Sequence, residues 1–350
     1  MTVRAEVSAS VPRPLKGRAP LVQRLIVRPE TGAALGAAAV FVFFSVVTDK
    51  FLSPLGISTW LDAASPIGIM AIAVALLMIG GEFDLSAGVM TGSTALVTAL
   101  LAVHAGWNVW SALLVSLMFA LAVGALNGWL VVRTGLPSFI VTLGTFLALQ
   151  GLNLGVTRLV TGTVQLSGIH NAGGYSSASA VFASTTGIAD ARIQASTLWW
   201  IVLTIIAAVV LVRTRFGNWV LALGGSQVGA RAVGVPVGRT KIILFMTTSA
   251  AGWVVGSCDI LRFDSVQASQ GVGSEFQYLI AAVVGGCLLS GGFGSVVGAA
   301  IGALTFGMAQ QGIVFARWNS DWFMLFLGIL LLSAVLVNTQ FSKRAERARR

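Results

Sequence analysis

Residues 63–103 read AASPIGIMAIAVALLMIGGEFDLSAGVMTGSTALVTALLAV. This stretch decides the fold because it holds two apolar runs, each close to the roughly 20 residues that a helix needs to cross a bilayer. Between the runs stand two carboxylates, Glu82 and Asp84, next to a pair of glycines. Two such runs separated by a short polar break predict two membrane-spanning helices joined by a tight connection.

The composition of the whole chain agrees with a membrane protein. Only 10% of the 350 residues are charged and 56% are hydrophobic, whereas an ordinary soluble domain carries roughly 25% charged residues. So few charges cannot cover a soluble surface of this size, and lipid is the natural solvent for the rest. The net charge of +10 therefore reflects orientation in a membrane, and no nucleic-acid partner is expected.

Apolar runs bounded by turn residues or charges give ten candidate spans along the chain. Five spans before and five after a midpoint would make the second half run inverted, a plan that many transporters share. The sequence thus predicts an all-α polytopic membrane protein with about ten transmembrane helices in two inverted five-helix halves. The candidate spans are residues 32–47, 63–79, 85–103, 109–132, 137–157, 198–212, 242–261, 278–289, 295–315 and 322–337.

The positions of the basic residues predict the topology. With the N-terminus in the cytosol, 17 of the 22 Lys and Arg residues fall on the cytosolic side, as the positive-inside rule requires. The predicted domains are a basic cytosolic tail at residues 1–31, a transmembrane domain at residues 32–338 and a second basic tail at residues 339–350. Inside the transmembrane domain, residues 158–197 form a long external loop and residues 213–241 form a basic cytosolic loop.

The break after the second span is the first candidate site. It contains Gly81, Glu82, Asp84 and Ser86. Carboxylates between apolar helices are costly unless they are solvated or paired, so two interpretations are open. Asp84 and Ser86 suit a structural cap of the third helix, or the two acids carry protons or ions.

A polar stripe on the fifth span is the second candidate. Ser138, Thr142, Thr145 and Asn153, with Leu149 between the last two, are spaced so that they share one helix face. Such a stripe faces either a partner helix or an aqueous path. The spacing favours neither, and the hypothesis carried forward is that the four polar residues line the translocation path.

The cytosolic loop is the third candidate. Residues 227–233 predict a short helix that Gly234 and Pro236 would end. From spacing alone, this segment is either a docking helix or a basic loop that adheres to anionic lipid.

Other chemistry is poorly supported by the sequence. Cys258 and Cys287 stand alone in or beside apolar segments, with no metal or redox spacing. The chain has no phosphate-binding GxxxxGK[ST] motif, and its two histidines, His104 and His170, both fall on the predicted outer side. We therefore expect no catalytic residues, no metal and no cofactor.

Four segments resemble the permease subunits of bacterial simple-sugar importers of the ATP-binding-cassette type, which serve ribose, xylose and arabinose. The resemblance covers residues 60–338, and the segments occur in the same order as in that family. They are GGEFDLSAG (80–88), LPSFIVTLGT (136–145), RFGNWVLALGG with ARAVGV (215–225 and 230–235) and VVGGCLLSGGFGSVVGAAIGAL (283–304).

This resemblance implies a permease that moves a monosaccharide or related polyol through the bacterial inner membrane. In such importers two permease copies pair as a dimer within the lipid, cytosolic ATP-binding subunits drive them, and an extracytoplasmic substrate-binding protein delivers the sugar. The ATPases hold a short helix in the cytosolic loop. The matching positions here are Gly224, Gly225, Ser226, Gln227, Ala230, Arg231 and Gly234.

Two alternative functions stay open at this point. One is a branched-chain amino acid permease of the same importer class, because its relatives share parts of these motifs. The other is an ion-coupled secondary transporter that uses Glu82 or Asp84.

Overall fold

A computed structural model of the protein describes residues 29–188 and 191–349. The predicted basic tail at residues 1–31 therefore lies, apart from its last three residues, outside the described residues. Within the described ranges the helices are α1 (Pro29–Val47), α2 (Pro54–Ile79), α3 (Ala87–Ala99), α4 (Val109–Thr134), α5 (Ser138–Thr161), α6 (Tyr175–Phe182), α7 (Ala195–Arg213), α8 (Arg215–Gly225), α9 (Gln227–Ala232), α10 (Val237–Phe263), α11 (Ser274–Val284), α12 (Val296–Phe315) and α13 (Trp322–Arg349).

Among the described residues, eight helices are long and apolar enough to cross a membrane. They are α1, α2, α4, α5, α7, α10, α12 and α3 with the π-helical turn that extends it to His104. The apolar helix α11 and the apolar part of α13, Trp322–Leu336, are shorter. The prediction of an all-α polytopic membrane protein is confirmed, whereas the count of ten spans and the inverted halves stay predictions.

Helix α2 forms the centre of the molecule. Its first turn is capped by Ser53, whose side chain accepts a hydrogen bond from the Gly56 N–H at 3.0 Å, and Pro54 occupies the first helical position, where its missing N–H costs nothing. Most of α2 is buried, and it packs against α7, α10, α11 and α12. Helix α2 therefore fixes the position of the polar break that follows Ile79.

The outer helices show the opposite pattern. Helices α1, α5 and α7 are largely exposed in the single chain, and the exposed side chains on α5 include Leu147, Leu152 and Leu159. Apolar faces of this kind suit lipid or another membrane protein, since a bilayer exerts no hydrophobic drive to bury them.

The predicted external loop at residues 158–197 contains secondary structure. Strand β1 (Gln165–Ser167) pairs antiparallel with β4 (Ser265–Gln267), and β2 (Thr185–Ile188) forms a hairpin with β3 (Ala191–Gln194).

Two hydrogen bonds between His170 and Asp264 join this segment to the end of α10. His170 Nδ1 lies 2.7 Å from Asp264 Oδ2, and the His170 N–H donates to Asp264 Oδ1 at 2.9 Å. Burial by itself would raise the pKa of Asp264, but the hydrogen bonds from His170 outweigh it and the pKa is lowered.

Helix α11 is too short to cross a membrane alone. Its 11 residues measure only about 16 Å, roughly half of the hydrocarbon core. Glu275 in its first turn is buried, accepts a hydrogen bond from the Gly273 N–H at 3.0 Å, and lies against Gly88 near the start of α3. The N-terminal ends of α3 and α11 therefore meet.

Candidate functional site

The polar break after α2 contains a buried ion pair. Gly81 adopts a left-handed conformation (φ 84°) that directs the chain away from the α2 axis. The next residue, Glu82, places Oε1 2.5 Å from the Nζ of Lys241, and both side chains are less than one-tenth exposed. Lys241 lies near the start of α10, so this pair joins the break to a distant helix.

Asp84 organises the start of α3. Its Oδ1 accepts hydrogen bonds from the Ser86 N–H at 2.8 Å and from the Ser86 hydroxyl at 2.5 Å. Ser86 Oγ in turn accepts from Asn127 Nδ2 at 3.0 Å, and Asn127 Oδ1 accepts from the Thr145 hydroxyl at 2.6 Å. A continuous polar chain therefore links the break to α4 and α5. Within the described part of the protein, Asp84 Oδ2 is buried without a hydrogen-bond partner.

We expect Asp84→Asn to fold nearly as well as the native protein, because an amide oxygen still accepts from Ser86. Asp84→Leu removes that acceptor and leaves buried donors unpaired, at a cost of about 1–3 kcal/mol. The free energy of unfolding of both purified variants in mixed detergent micelles measures the difference. Equal losses for Asn and Leu would contradict the bracing role.

The polar stripe of α5 faces the break and the preceding helices. Ser138 Oγ accepts from the Phe83 N–H and Thr142 Oγ1 accepts from the Leu85 N–H, both at 3.0 Å. At the far end, Asn153 Nδ2 donates to Ser93 Oγ at 3.0 Å. Ser138 and Thr142 are buried, whereas Thr145 and Asn153 are partly exposed. The stripe thus holds the break in place within one chain, and its role in a translocation path stays a prediction.

The predicted cytosolic loop is mostly helical. Helix α8 follows α7 almost directly, and Ser226 separates it from α9, where its side chain accepts from the Gly229 N–H at 3.1 Å. Of the predicted coupling residues, Gly225, Ser226, Gln227, Arg231 and Gly234 are exposed.

The other two predicted coupling residues contact their own chain. Ala230 is the buried residue of α9, and Gly224 is half-buried. The sequence did not indicate Val228 and Val233, whose side chains are 80% and 77% exposed. Val228 lies near the start of α9 and Val233 directly follows its end, so each end of this short helix has an exposed apolar side chain.

Gly224 is the point where α8 meets two breaks of the fold. One is the polar break after α2, and the second is the segment at residues 285–295, between α11 and α12. The Gly292 N–H donates to the Ile79 carbonyl at 2.9 Å, which joins the segment after α11 to the end of α2. A side chain on Gly224 would collide with that carbonyl oxygen and with the Gly292 nitrogen. We call the contact among Ile79, Gly224 and Gly292 the glycine junction.

The ends of α2 and α11 also match in their hydrogen bonds. Gly80 and Gly81 donate to the carbonyls of Leu76 and Met78, and Gly285 and Gly286 donate to those of Ala281 and Val283 in the same pattern. The two helices therefore terminate alike, and Gly224 contacts Ile79 at the end of α2 and Gly292 in the segment after α11.

A cavity of about 400 Å³ lies between α9 and the break. Glu82, Lys241 and Ser138 line one part of it, and Gln227 and Arg231 of α9 line another. Movement of α9 would therefore change the space around the buried ion pair.

A known family model matches most of this chain. Residues 56–335 match the model of a family described as the permease component of the branched-chain amino acid transport system. The chain belongs to this permease family. The prediction of a transport subunit, and not an enzyme, is confirmed.

Individual relatives of the permease align over most of their lengths. This chain is 28% identical to the xylose transport system permease protein XylH of Escherichia coli (strain K12), over 88% of this chain and 91% of the relative. It is 27% identical to the ribose import permease protein RbsC of the same strain, over 89% and 94%. A probable ABC transporter permease protein of Sinorhizobium fredii (strain NBRC 101917 / NGR234), y4mJ, is 31% identical over 89% and 90%. No solved structure matches the permease. The resemblance to simple-sugar permeases is confirmed.

Sequence reasoning missed three features of the site. It counted Lys241 among solvated basic residues, whereas the side chain is buried against Glu82. It passed over Asn127, although a single amide inside the apolar run of α4 is a signal for a buried hydrogen bond. It also passed over Val228 and Val233, which no local pattern marks as exposed.

Proposed function

We propose that this permease is the membrane subunit of an ATP-driven importer that translocates a monosaccharide or related polyol delivered by a substrate-binding protein. The names of the two Escherichia coli relatives, for xylose and ribose, support the substrate class because both alignments cover nearly the whole of each chain. The family description names branched-chain amino acids. The sugar assignment is preferred because these individual relatives carry sugar names.

The exposed face of α9 is the observation that carries the ATP-driven mechanism. Val228 and Val233 expose most of their surface on a segment that the proposed topology puts in the cytosol, where they are accessible to a partner protein and support α9 as its docking helix. Arg231 lies between them in sequence and suits an acidic rim. Binding of a cytosolic ATP-binding subunit to this helix would displace α9, and the displacement would reach Gly224 and the cavity beside Glu82.

The ion-coupled alternative is weakened by the contacts of the two acids. A coupling carboxylate must exchange protons or ions during each cycle, but Glu82 is buried in a pair with Lys241. Asp84 Oδ1 accepts two hydrogen bonds from Ser86. Both acids thus have structural partners within the chain.

Reconstitution of the complete importer tests the function. The permease, with its cognate ATP-binding subunit and substrate-binding protein, is placed in proteoliposomes and given labelled D-xylose, D-ribose or L-leucine. We expect sugar uptake that requires both ATP and the binding protein. Uptake of L-leucine alone would favour the amino acid permease, and uptake driven by a pH gradient without ATP would favour the secondary transporter.

The topology belongs to the same proposal. We place both termini in the cytosol, the protein in the bacterial inner membrane among its lipids, and a second permease copy beside it as a homodimer. Cysteines introduced at Ser8 and Ser342 should resist a membrane-impermeant maleimide in intact cells, whereas one at the exposed, external Ser320 should react. The native Cys258 and Cys287 are buried and give little background. External labelling at Ser8 or Ser342 would overturn the scheme.

Variants at Thr145 test whether the polar stripe of α5 lines the translocation path or only packs against other helices. Thr145→Trp adds bulk beside Asn127, and we expect uptake to fall by at least about tenfold while the complex still assembles. Thr145→Val keeps the volume and loses one hydrogen bond, so it should cost about 1 kcal/mol of stability and leave most uptake. The matched control is Leu147→Trp, since Leu147 is exposed on the same helix. Normal uptake by Thr145→Trp would assign the stripe to packing.

A further inference from the structure

A second cavity lies at the outer end of the permease, away from the polar stripe. It has a volume of about 180 Å³ and lies among α2, α7, α10 and the external helix α6. No residue of α5 lines it. Its polar walls consist of Asp62, Gln194, Ser196, Asp259 and Arg262.

The charges in this cavity disfavour an anionic ligand. The Arg262 guanidinium is already committed, because its two terminal nitrogens lie 2.6 and 2.7 Å from the two carboxylate oxygens of Asp62. Asp259 adds a further carboxylate, and its Oδ2 accepts from Gln270 Nε2 at 3.1 Å. A ligand carboxylate or phosphate would find no free cation among these walls and would face the surplus negative charge.

The uncommitted polar atoms suit hydroxyl groups. Within the described residues no donor reaches Asp259 Oδ1, which leaves a free acceptor on a side chain that lines the cavity. Gln194 accepts from the Thr185 hydroxyl at 3.3 Å through Oε1, and no described residue accepts from its NH₂ group, which can therefore donate to a ligand. Ser196 Oγ accepts from the Ser65 hydroxyl at 2.8 Å, which leaves the Ser196 proton available to donate. A hydroxyl-rich molecule can satisfy donors and acceptors side by side, as these walls require.

The remaining walls and the size of the cavity fit the same class. Ile69, Phe182 and Val255 provide apolar surface against which the C–H faces of a sugar ring can pack. One water needs roughly 10–15 Å³ of such space, so the cavity holds about a dozen water-sized groups. A pentose or hexose has a similar number of non-hydrogen atoms.

We propose that this outer cavity binds a neutral polyhydroxylated molecule, so that the permease holds a sugar site of its own at the outer face. The inference rests on the proposed function for the class of substrate. The site would receive the sugar where the binding protein releases it, its acidic walls would exclude sugar acids, and the occupied Arg262 would leave the carboxylate of an amino acid without a partner.

Direct binding to the permease alone tests the site. The full chain in lipid nanodiscs, with no binding protein or ATPase, is titrated with D-xylose, D-ribose, L-arabinose, D-galactose and myo-inositol in saturation-transfer NMR and calorimetry. D-Xylonate, the open-chain carboxylate formed by oxidation of D-xylose at C1, is the anionic probe, and L-leucine is the zwitterionic probe. We expect saturable binding of at least one neutral sugar and no binding of either charged probe.

Two variants and a control connect binding to the cavity. In Asp259→Asn the amide oxygen takes the hydrogen bond from Gln270, so an NH₂ donor replaces the free acceptor oxygen, and Ala183→Phe fills the cavity from its external wall. Each should weaken sugar binding at least about tenfold. Asp321→Asn changes an exposed acid on the predicted outer side and should leave binding unchanged. Gel filtration and melting temperature confirm that each variant is folded.

The outcomes separate this site from the proposed function. Absence of saturable binding for all five neutral molecules, or unchanged binding in both Asp259→Asn and Ala183→Phe, overturns the site. If the complete importer takes up a sugar in that case, the proposed function stands without the site. Uptake of L-leucine in place of any sugar would overturn the proposed function, and binding of D-xylonate as tight as that of D-xylose would overturn the charge argument.

Discussion

Replacing Lys241 with Met is expected to destabilise the permease strongly, because it leaves the Glu82 carboxylate buried and unpaired. The two charged groups lie 2.5 Å apart, and each side chain is less than one-tenth exposed, so water in the adjoining cavity can replace the ammonium group only in part. Removal of one partner from a buried ion pair costs about 3–5 kcal/mol. The free energy of unfolding of the purified permease, measured as SDS is added to mild detergent, should fall by that amount.

The control for this prediction lies on the same helix. Arg239 is an exposed basic residue near the start of α10, and Arg239→Met should change stability by less than about 0.5 kcal/mol. The double variant Glu82→Gln with Lys241→Met removes both charges and should recover most of the loss. If Lys241→Met proved as stable as Arg239→Met, the ion pair would have no part in holding the break to α10.

The spans themselves were largely predictable from the sequence, because a bilayer needs apolar runs of fixed length. The errors occur where polar signals and length conflict. Helix α2 begins at Pro54, earlier than the apolar run at residue 63 indicated, since the Ser53 cap and Pro54 start the helix before it becomes wholly apolar. Helix α11 was predicted as part of a span at residues 278–289, but it runs over Ser274–Val284 and its N-terminal end packs against the start of α3.

The partners of the polar residues were beyond sequence reasoning. The break and the stripe could be found as polar groups in apolar surroundings, yet nothing local shows that Glu82 meets Lys241 or that Asp62 meets Arg262 across 200 positions. Such contacts depend on how the helices pack. The same holds for α9, where the prediction of a short helix is confirmed but the buried side of Ala230 and the exposed side of Val228 required the packed structure.

The glycine junction provides the sharpest test of how α9 could drive the permease. Gly224→Ala should uncouple transport, because the added methyl group collides with the Ile79 carbonyl and the Gly292 backbone, and neither can move cheaply. Overpacking of this kind costs about 1–3 kcal/mol and would force α8 away from both breaks. We expect ATP-driven uptake in proteoliposomes to fall at least about tenfold, while the ATP-binding subunit still co-purifies with the permease.

Gly225→Ala is the matched control for that variant. Gly225 is exposed, and a side chain there would meet nothing within 4 Å, so uptake and assembly should stay normal and α8 should gain a few tenths of a kcal/mol or more. Val228→Asp places a charge on the exposed face of α9 and should abolish co-purification of the ATP-binding subunit without loss of permease stability. Docking would then depend on Val228 and transmission on Gly224. Full coupling in Gly224→Ala would show that α8 does not transmit movement to the breaks, and normal recruitment by Val228→Asp would remove α9 as the docking helix.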